Sequence, residues 1–306
     1  MIIRQTITLA IIMSLSGFGA KAQIKNPNKL WYTKPAGQFE EALPLGNGRL
    51  GVMVYGGVKT EKLALNEETL WAGGPVNPDM NPNAKNYLQP VREALFSENY
   101  KAADSLVRFM QGRFSESYAP LGNLFIDFDH TAEPVNYKRQ LDIQNSIATT
   151  SYQLNQTKFT REVFVSYPDQ LVIIRLTAKG NDKLNFSCRF DSKLKARVSI
   201  ANGSLQLKGH APIHTEPNYR GNIPNAIVFD TVNAMRFTSV IKVLKTDGRQ
   251  SLQDSVLKIS HATEAVILLS MATSYNGFDK NPGTQGKNET ALAESFLQKA
   301  TTKNYA

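Results

Sequence analysis

Carboxylates, amides and tryptophans are concentrated in segment 30–74, which carries the strongest chemical signal of the sequence. The segment holds both tryptophans of the chain, Trp31 and Trp71, together with two pairs of adjacent glutamates. An indole ring stacks on the C–H face of a sugar, while carboxylates and amides hydrogen-bond to its hydroxyl groups. The segment therefore indicates a carbohydrate-contacting site. The same residues also fit a strand-turn-strand with polar loop ends, and the sequence leaves both interpretations open.

Five residues of this segment are candidates for a substrate-pocket wall or for a surface that seats a second domain. They are Glu41, Asn47, Asn66, Glu67 and Trp71. A glycosidase needs two carboxylates on either side of the scissile bond. Glu67 and Glu68 are adjacent, so on a strand their side chains point to opposite faces. We therefore assign no catalytic residue in this chain.

Two histidines are the remaining candidates for metal chemistry. His210 and His214 have the spacing of a metal-binding pair on a helix, but Pro212 between them opposes a helix and no third ligand is evident. We predict neither a metal site nor a cofactor.

Apolar residues at every second position predict that these groups are positioned by β-strands. The candidate strands are Leu124–Phe128, Ile147–Leu154, Lys158–Val165, Leu171–Leu176, Leu184–Phe190, Ser204–Leu207, Ala226–Phe229, Met235–Leu244 and Ala265–Met271. Turn residues such as Asp247-Gly248 separate them. The fold class is therefore mainly β, a large antiparallel β-sandwich of the super-sandwich type. Cys188, the single cysteine, falls on the apolar side of its strand and is predicted to be a core residue.

Two segments depart from the strand pattern. Helical periodicity between about 83 and 113, with Pro90 in a first turn, predicts a short two-helix insertion. An apolar stripe from Leu292 to Ala300, after a cap at Asn288, predicts a C-terminal helix. We expect this stripe to lack a partner within the chain.

Residues 1–22 have the features of a signal peptide. Arg4 precedes an apolar run, and Ala20-Lys21-Ala22 fits the small-x-small rule, so we predict cleavage before Gln23. The alternative, an N-terminal membrane anchor, is disfavoured because the apolar run is shorter than a bilayer span. The mature protein is therefore expected to be exported, either periplasmic or secreted, with no membrane association after cleavage.

Composition excludes several classes of protein. With 306 residues, 42% hydrophobic and 20% charged, the chain is neither mainly disordered nor a polytopic membrane protein. The formal charge is +9, and removal of the leader leaves 33 basic residues against 26 acidic ones, a charge of +7. The basic residues are scattered, so we predict no nucleic-acid partner. An acidic glycan remains consistent with the charge.

The order of motifs along nearly all of the mature chain resembles the N-terminal region of glycoside hydrolase family 95, the exported α-L-fucosidases. The motifs are Trp31-Tyr32 with Pro35-Ala36, Glu41 to Gly51, Leu65-Asn66-Glu67 through Trp71, Tyr118 to Leu124, Tyr137 to Asp142, Thr160 to Ser166, and Ala272 to Tyr275.

This resemblance implies a three-part organisation. Residues 1–22 are a signal peptide, 23–285 a β-sandwich domain, and 286–306 the start of a helical linker to an (α/α)₆ barrel that this chain lacks. In the family the general acid glutamate, and the asparagine and aspartate that activate water, belong to that barrel. The chain is thus expected to be an inactive fragment that meets fucosylated oligosaccharides or polysaccharides through the full-length enzyme. The five candidate residues are expected to seat the barrel, with sugar contact as the alternative.

Two other function classes stay open. The chain is alternatively a free-standing carbohydrate-binding or interaction sandwich. A mutarotase-like epimerase has a similar topology, but it requires a well-placed histidine acid, and none of the four histidines lies in a persuasive motif.

Overall fold

Two antiparallel sheets packed face to face make up most of the protein. The computed structural model describes residues 28–112, 114–303 and 305. The larger sheet contains, in spatial order, β1 (Lys29–Tyr32), β6 (Val135–Asp142), β7 (Ile147–Leu154), β8 (Thr157–Ser166), β9 (Leu171–Lys179), β18 (Glu264–Thr273), β15 (Arg236–Thr246), β12 (Ser204–His210) and β11 (Lys195–Ala201). The smaller sheet contains β16 (Arg249–Gln253), β17 (Val256–Ala262), β10 (Leu184–Asp191), β5 (Gly122–Phe128), β4 (Thr60–Glu67), β3 (Leu50–Val54) and β2 (Leu43–Gly46). A short ribbon pairs β13 (His214–Thr215) with β14 (Ile227–Val228). The predicted mainly β, antiparallel sandwich is confirmed.

The core lies between the two sheets because apolar side chains alternate along the strands. In β9, Val172 and Ile174 point into the core shared with the smaller sheet, whereas Leu171 and Ile173 point to the opposite face. Cys188 on β10 is fully buried in the shared core, as predicted, and burial raises the pKa of its thiol well above the usual value.

Downstream of β5, five strands were not predicted, namely β6, β11, β13, β16 and β17. Two of them, β11 and β16, are edge strands whose residues are mostly exposed. An exposed edge strand does not need an apolar side, so its sequence carries little alternation. These strands are formed by pairing with their neighbours.

A helical pair is inserted between β4 and β5. The helices are α1 (Leu88–Phe96) and α2 (Tyr100–Val107), flanked by short 3₁₀ turns at Ala84–Tyr87 and Arg108–Met110. The Asn99 side chain accepts a hydrogen bond from the Ala102 N–H at 3.1 Å and so caps the second helix. Two further 3₁₀ turns lie at Phe39–Glu41 and Asn218–Arg220.

The last helix, α3 (Glu289–Ala300), covers the outer face of the larger sheet. Its buried residues Ala293, Leu297 and Ala300 form an apolar layer with residues of β9, β15 and β18. Asn288 caps the helix by accepting from the Ala291 N–H at 2.9 Å, as predicted. The expectation that this stripe lacks a partner in the chain is wrong, because the larger sheet is apolar on both of its faces at this point.

The predicted signal peptide, residues 1–22, lies outside the described residues. Among the helices that are described, none has the length and apolar character needed to cross a bilayer.

Candidate functional site

Asn47 closes the hairpin between β2 and β3. Its Oδ1 accepts hydrogen bonds from the N–H groups of Arg49 at 3.1 Å and Leu50 at 2.8 Å. Gly48 between them has φ of +93°, a conformation that favours glycine. The Asn47 Nδ2 donates to the Ser166 carbonyl at 2.9 Å, which ties this turn to the end of β8 in the opposite sheet. Asn47 therefore joins the two sheets.

Arg49 continues this junction. Its guanidinium lies 3.2 Å from Glu67 Oε1, and it donates to Gln170 Oε1 at 2.7 Å and to the Met271 carbonyl at 2.8 Å. The same group stacks 5.0 Å from the ring centroid of Phe296 on α3. One arginine thus connects both sheets and the last helix.

Glu67 is only 2% exposed and its second oxygen is also occupied. Oε2 accepts from the Thr69 N–H at 2.9 Å and from its hydroxyl at 2.6 Å, and that hydroxyl also bonds to Thr273. Buried charges are tolerated when they are paired and hydrogen-bonded in this way. We call Asn47, Arg49, Glu67, Thr69 and Gln170 the seam cluster. All of its charged groups are used in holding the sheets together.

Glu41 lies on a different surface, beside the edge strand β1. Its Oε2 accepts from the Gly37 N–H at 2.7 Å, and its carbonyl accepts from Arg139 Nη1 at 2.7 Å. The Arg139 guanidinium stacks 4.1 Å from the Tyr32 ring centroid. Glu41 therefore shapes an open cleft of about 360 Å³ that it shares with Trp31 and Tyr32.

Asn66 faces outward from the smaller sheet, opposite Gly51 on the neighbouring strand. Its Oδ1 is buried without a hydrogen-bond partner among the described residues. Asn66 lines a cleft of about 550 Å³ on this outer face. Of the five predicted residues, it is the one that retains an unused buried acceptor.

Trp71 is 46% exposed and rigidly held. Its indole N–H donates to the Glu68 carbonyl at 3.0 Å, and the Tyr118 ring meets it edge to face at 6.3 Å. Trp71 borders a pocket of about 330 Å³ with Tyr275, Phe278, Glu68 and other residues. We call Trp71, Tyr275 and Phe278 the aromatic pocket. The arrangement offers flat apolar rings next to a carboxylate.

The five predicted residues therefore do not form one site. Asn47 and Glu67 meet in the seam cluster, and Glu41 lies beside β1. Asn66 and Trp71 line two separate clefts, and Tyr118, which lines the Asn66 cleft, contacts the Trp71 ring. Their roles as pocket wall or domain contact stay predictions.

Sequence reasoning missed a charged cluster around His214. Its Nδ1 lies 2.8 Å from Glu116 Oε1, and its Nε2 lies 3.2 Å from Glu216 Oε1. Hydrogen bonding to Glu116, with a further contribution from Glu216, raises the pKa of His214. Glu116 comes from a segment about a hundred residues away and packs against Gly73 at the rim of the aromatic pocket. No local motif signals this pairing.

A buried ion pair was also missed. Glu61 and Arg161 are 2% and 3% exposed, and Arg161 Nη1 lies 3.4 Å from Glu61 Oε2. Burial raises the pKa of Glu61, against the opposing effect of Arg161. Glu61 accepts from the N–H groups of Tyr55 and Gly56 at 3.1 and 2.7 Å. The pair therefore holds the β3–β4 turn against the larger sheet.

His130 does not supply the acid that an epimerase requires. Its ring stacks on Phe128 with centroids 5.1 Å apart and meets the Phe159 ring edge to face at 4.7 Å. Its Nε2 lies 2.8 Å from the Tyr152 hydroxyl. Burial lowers its pKa to about 4, so the ring is neutral at neutral pH. His210 instead packs against Phe229 at 6.0 Å. In the described part of the chain, no group of three or more His, Cys, Asp or Glu side chains is arranged to hold a metal ion.

The two-sheet architecture and the motif order place the chain among the N-terminal sandwich domains of glycoside hydrolases. The chain belongs to the family described as glycosyl hydrolase family 65, N-terminal domain, whose model matches residues 30–277. The expected class, a glycoside hydrolase N-terminal domain, is confirmed, although the matching model carries the number 65 and the resemblance pointed to family 95.

Its relatives include proteins named as fucosidases. The chain is 32% identical over 268 residues to "Alpha-L-fucosidase 2" of Arabidopsis thaliana, a match that covers 83% of this chain and 31% of the relative. It is 34% identical over 165 residues to "Probable alpha-fucosidase A" of Aspergillus oryzae, covering 51% of this chain and 22% of the relative. The matched region thus spans less than a third of the length of these relatives.

One solved structure is also matched by this chain. "Putative kojibiose phosphorylase from human microbiome" aligns with 92% of this chain and 37% of its own length, at 12% identity and a TM-score of 0.49.

Proposed function

We propose that this chain is the N-terminal β-sandwich domain of an exported glycoside hydrolase that removes terminal α-L-fucosyl groups from glycans. The observation that carries the proposal is the match, over 83% of the chain, to a relative named as an α-L-fucosidase. The match takes up only 31% of that relative, so most of the relative's length is available for a separate catalytic domain. The family resemblance implies that this domain is an (α/α)₆ barrel.

The described carboxylates support a non-catalytic role for the chain itself. Inverting and retaining glycosidases both require two carboxyl groups facing one sugar ring. Glu67 is enclosed in the seam cluster, and Glu41 is hydrogen-bonded to its own loop. Glu68 is the one carboxylate among the described residues that line the aromatic pocket. No second carboxylate among the described residues lines this pocket, and Glu116 at its rim is already hydrogen-bonded to His214 and to the Thr215 N–H.

The aromatic pocket is the surface that we propose to meet the catalytic barrel. Trp71, Tyr275 and Phe278 are 46%, 38% and 86% exposed, which is a high exposure for three neighbouring aromatic side chains. A contact of this kind also places Trp71 where it can form part of the wall of a sugar pocket.

Hydrolysis of an aryl α-L-fucoside by the purified 306-residue chain tests the placement of the chemistry. We expect no turnover by the chain alone. Turnover that disappears in both Glu67→Gln and Glu68→Gln variants contradicts the proposal. Binding of a fucosylated oligosaccharide is monitored by tryptophan fluorescence. Binding without turnover favours a free-standing binding module instead.

Export is tested separately. Residues 1–22 fused to a reporter enzyme that is active only outside the cytoplasm are expected to give reporter activity. Mass spectrometry of the recovered mature protein is expected to show Gln23 as its first residue. Retention of residues 1–22 on a cytoplasmic protein contradicts this part of the proposal.

A further inference from the structure

A second cleft, distinct from the aromatic pocket, crosses the outer face of the smaller sheet. It has a volume of about 550 Å³, and we call it the outer cleft. Its main lining residues are Phe39, Met53, Lys62, Asn66, Tyr118 and Lys193. The proposed function assigns no role to this surface.

Small residues on adjacent strands form the floor of the outer cleft. Gly51 lies opposite Asn66, and Ala64 lies opposite both Met53 and Asn123. A Cβ at position 51 would approach the Asn66 Cβ to 3.3 Å, so the glycine leaves space that a larger side chain would fill. From Gly51 on β3 to Tyr55, the residue after this strand, the extended chain spans about 14 Å at the usual rise of a strand. This length suits a short oligosaccharide.

Two exposed aromatic rings stand at the rim. Phe39 is 55% exposed and Tyr118 is 44% exposed. Tyr118 is held in place by its edge-to-face contact with Trp71 and by a strand-like bridge to the same residue. Aromatic rings fixed in this way provide the flat apolar surface on which a sugar ring stacks.

The charge of the outer cleft is positive. Lys62 and Lys193 are among its lining residues, whereas no described aspartate or glutamate lines it. The Lys62 ammonium lies 4.5 Å from the Tyr55 ring centroid and 3.4 Å from the Tyr55 hydroxyl, which holds it at one end. Lys193, near the other end, is exposed and forms no hydrogen bond or ion pair with the described residues. A ligand that carries a carboxylate toward each of its ends complements this surface.

Polar groups of the floor add hydrogen-bonding capacity. The buried Oδ1 of Asn66 has no hydrogen-bond partner in the part of the chain that the structure describes, and Asn66 lines the cleft. Asn123 donates to Asp191 at 2.7 Å, and this nearby carboxylate does not line the cleft. The floor therefore combines an unused amide with positive charge and aromatic walls.

We propose that the outer cleft binds an acidic oligosaccharide, one that carries uronate residues, as a non-catalytic contact between this domain and its glycan. The proposal rests on membership in a glycoside hydrolase domain family and on the charge of the cleft. It does not depend on α-L-fucosyl specificity, so failure of the fucosidase proposal leaves it intact.

Isothermal titration of the 306-residue chain with α-1,4-trigalacturonate, and with α-1,4-galactotriose as its neutral counterpart, tests the proposal. The two probes differ only in their carboxylates. We expect the acidic probe to bind at least about tenfold more tightly, because charge-assisted hydrogen bonds to lysine are lost with the neutral one. Binding of the acidic probe is expected to weaken as salt is added. Equal binding of both probes, or binding of neither, overturns the proposal.

Variants locate the binding. The double variant Lys62→Gln/Lys193→Gln is expected to weaken trigalacturonate binding at least about tenfold. Lys258→Gln is the matched control, since Lys258 is an exposed lysine on the same face, on β17, and does not line the cleft. Phe39→Ala is expected to weaken the binding of both probes to a similar degree, because it removes a stacking surface. Thermal unfolding checks that each variant is folded.

A fluorescence titration provides an independent readout. In a Trp31→Phe background, Trp71 is the one remaining tryptophan, and it contacts Tyr118 at the rim of the outer cleft. Trigalacturonate is expected to change the Trp71 emission with the same affinity that calorimetry gives. An unchanged emission together with undiminished binding by the double lysine variant places the ligand elsewhere and contradicts the proposal.

Discussion

The seam cluster and the aromatic pocket are built from the same stretch of chain but use their polar groups in opposite ways. Glu67 is 2% exposed and bonds to Arg49 and Thr69, while Glu68, the next residue, is exposed and lines the aromatic pocket. The Glu68 carboxylate has no hydrogen bond or ion pair among the described residues. Glu67 is the last residue of β4 and Glu68 begins the turn that follows it, so the strand alternation expected for the pair ends at Glu67.

The different exposure of Glu67 and Glu68 shows how structural groups can be separated from ligand-binding groups in a segment that is rich in polar residues. A buried carboxylate has lost its water and is stable only when protein groups replace that water completely. An exposed carboxylate keeps its water and can exchange it for a ligand. Residue type alone does not distinguish the two cases, so we make four predictions that test the contrast and the packing around it.

The largest effect is expected from removing the buried member of the glutamate pair. Glu67→Ala leaves the Arg49 guanidinium without its carboxylate at the junction of both sheets, and we expect a loss of about 3 kcal/mol in the free energy of unfolding. Glu68→Ala, the matched control, is expected to stay within about 0.5 kcal/mol. Urea denaturation measures both. Similar losses of stability for the two variants contradict the assignment of a structural role to Glu67 alone.

A slightly smaller loss of stability is expected where α3 packs on the outer face of the larger sheet. Leu297 is 4% exposed against the larger sheet, so Leu297→Ala creates a cavity and is expected to cost about 2.5 kcal/mol. Gln298→Ala, on the exposed side of the same helix, is the control. A negligible cost for Leu297→Ala indicates that the helix does not pack on this sheet in solution.

A pH-dependent effect is expected at the rim of the aromatic pocket. Glu116, and to a smaller degree Glu216, raise the pKa of His214, so protonation of this histidine favours the folded state. Its stabilising contribution is fully present below the ordinary histidine pKa and is lost as pH rises through the higher folded-state value.

Denaturation at a series of pH values measures this contribution. The stability advantage of the wild type over His214→Gln is expected to shrink as pH rises through that window. NMR titration should show the His214 pKa moving down toward its ordinary value in Glu116→Gln. An advantage that grows with pH contradicts the assignment.

The smallest effect is expected within the aromatic pocket itself. Phe278 is 86% exposed, so Phe278→Ala removes almost no buried surface, and we expect a change within about 0.5 kcal/mol. The same variant is expected to reduce binding of an apolar dye, since it removes exposed ring area. A loss of several kcal/mol in the free energy of unfolding contradicts this prediction, because it shows that the Phe278 ring is buried in solution.

Much of the fold could be predicted from the sequence. Strands such as β8 and β10 carry alternating apolar positions that predict both their type and their inner face. The capped helix beginning at Glu289 was predicted for the same reason. The edge strands β11 and β16 were missed because exposed edges leave no apolar pattern.

The candidate site was harder to predict from the sequence than the fold. The sequence singled out segment 30–74, but it did not separate Glu67 from Trp71 in role. That separation depends on Gln170, Met271 and Phe296, which lie more than a hundred residues further along the chain. Contacts between residues so distant have no local signature.

By itself, the sequence determined the mainly β class, the buried position of Cys188 and the resemblance to glycoside hydrolase N-terminal domains. These properties follow from side-chain periodicity and from motif order, which are local. The tertiary structure alone decided which polar groups are used between the sheets, where α3 packs, and that lysines and aromatic rings line one cleft. Those properties depend on which strands become neighbours, and pairing across long stretches of chain is settled only when the whole core is buried.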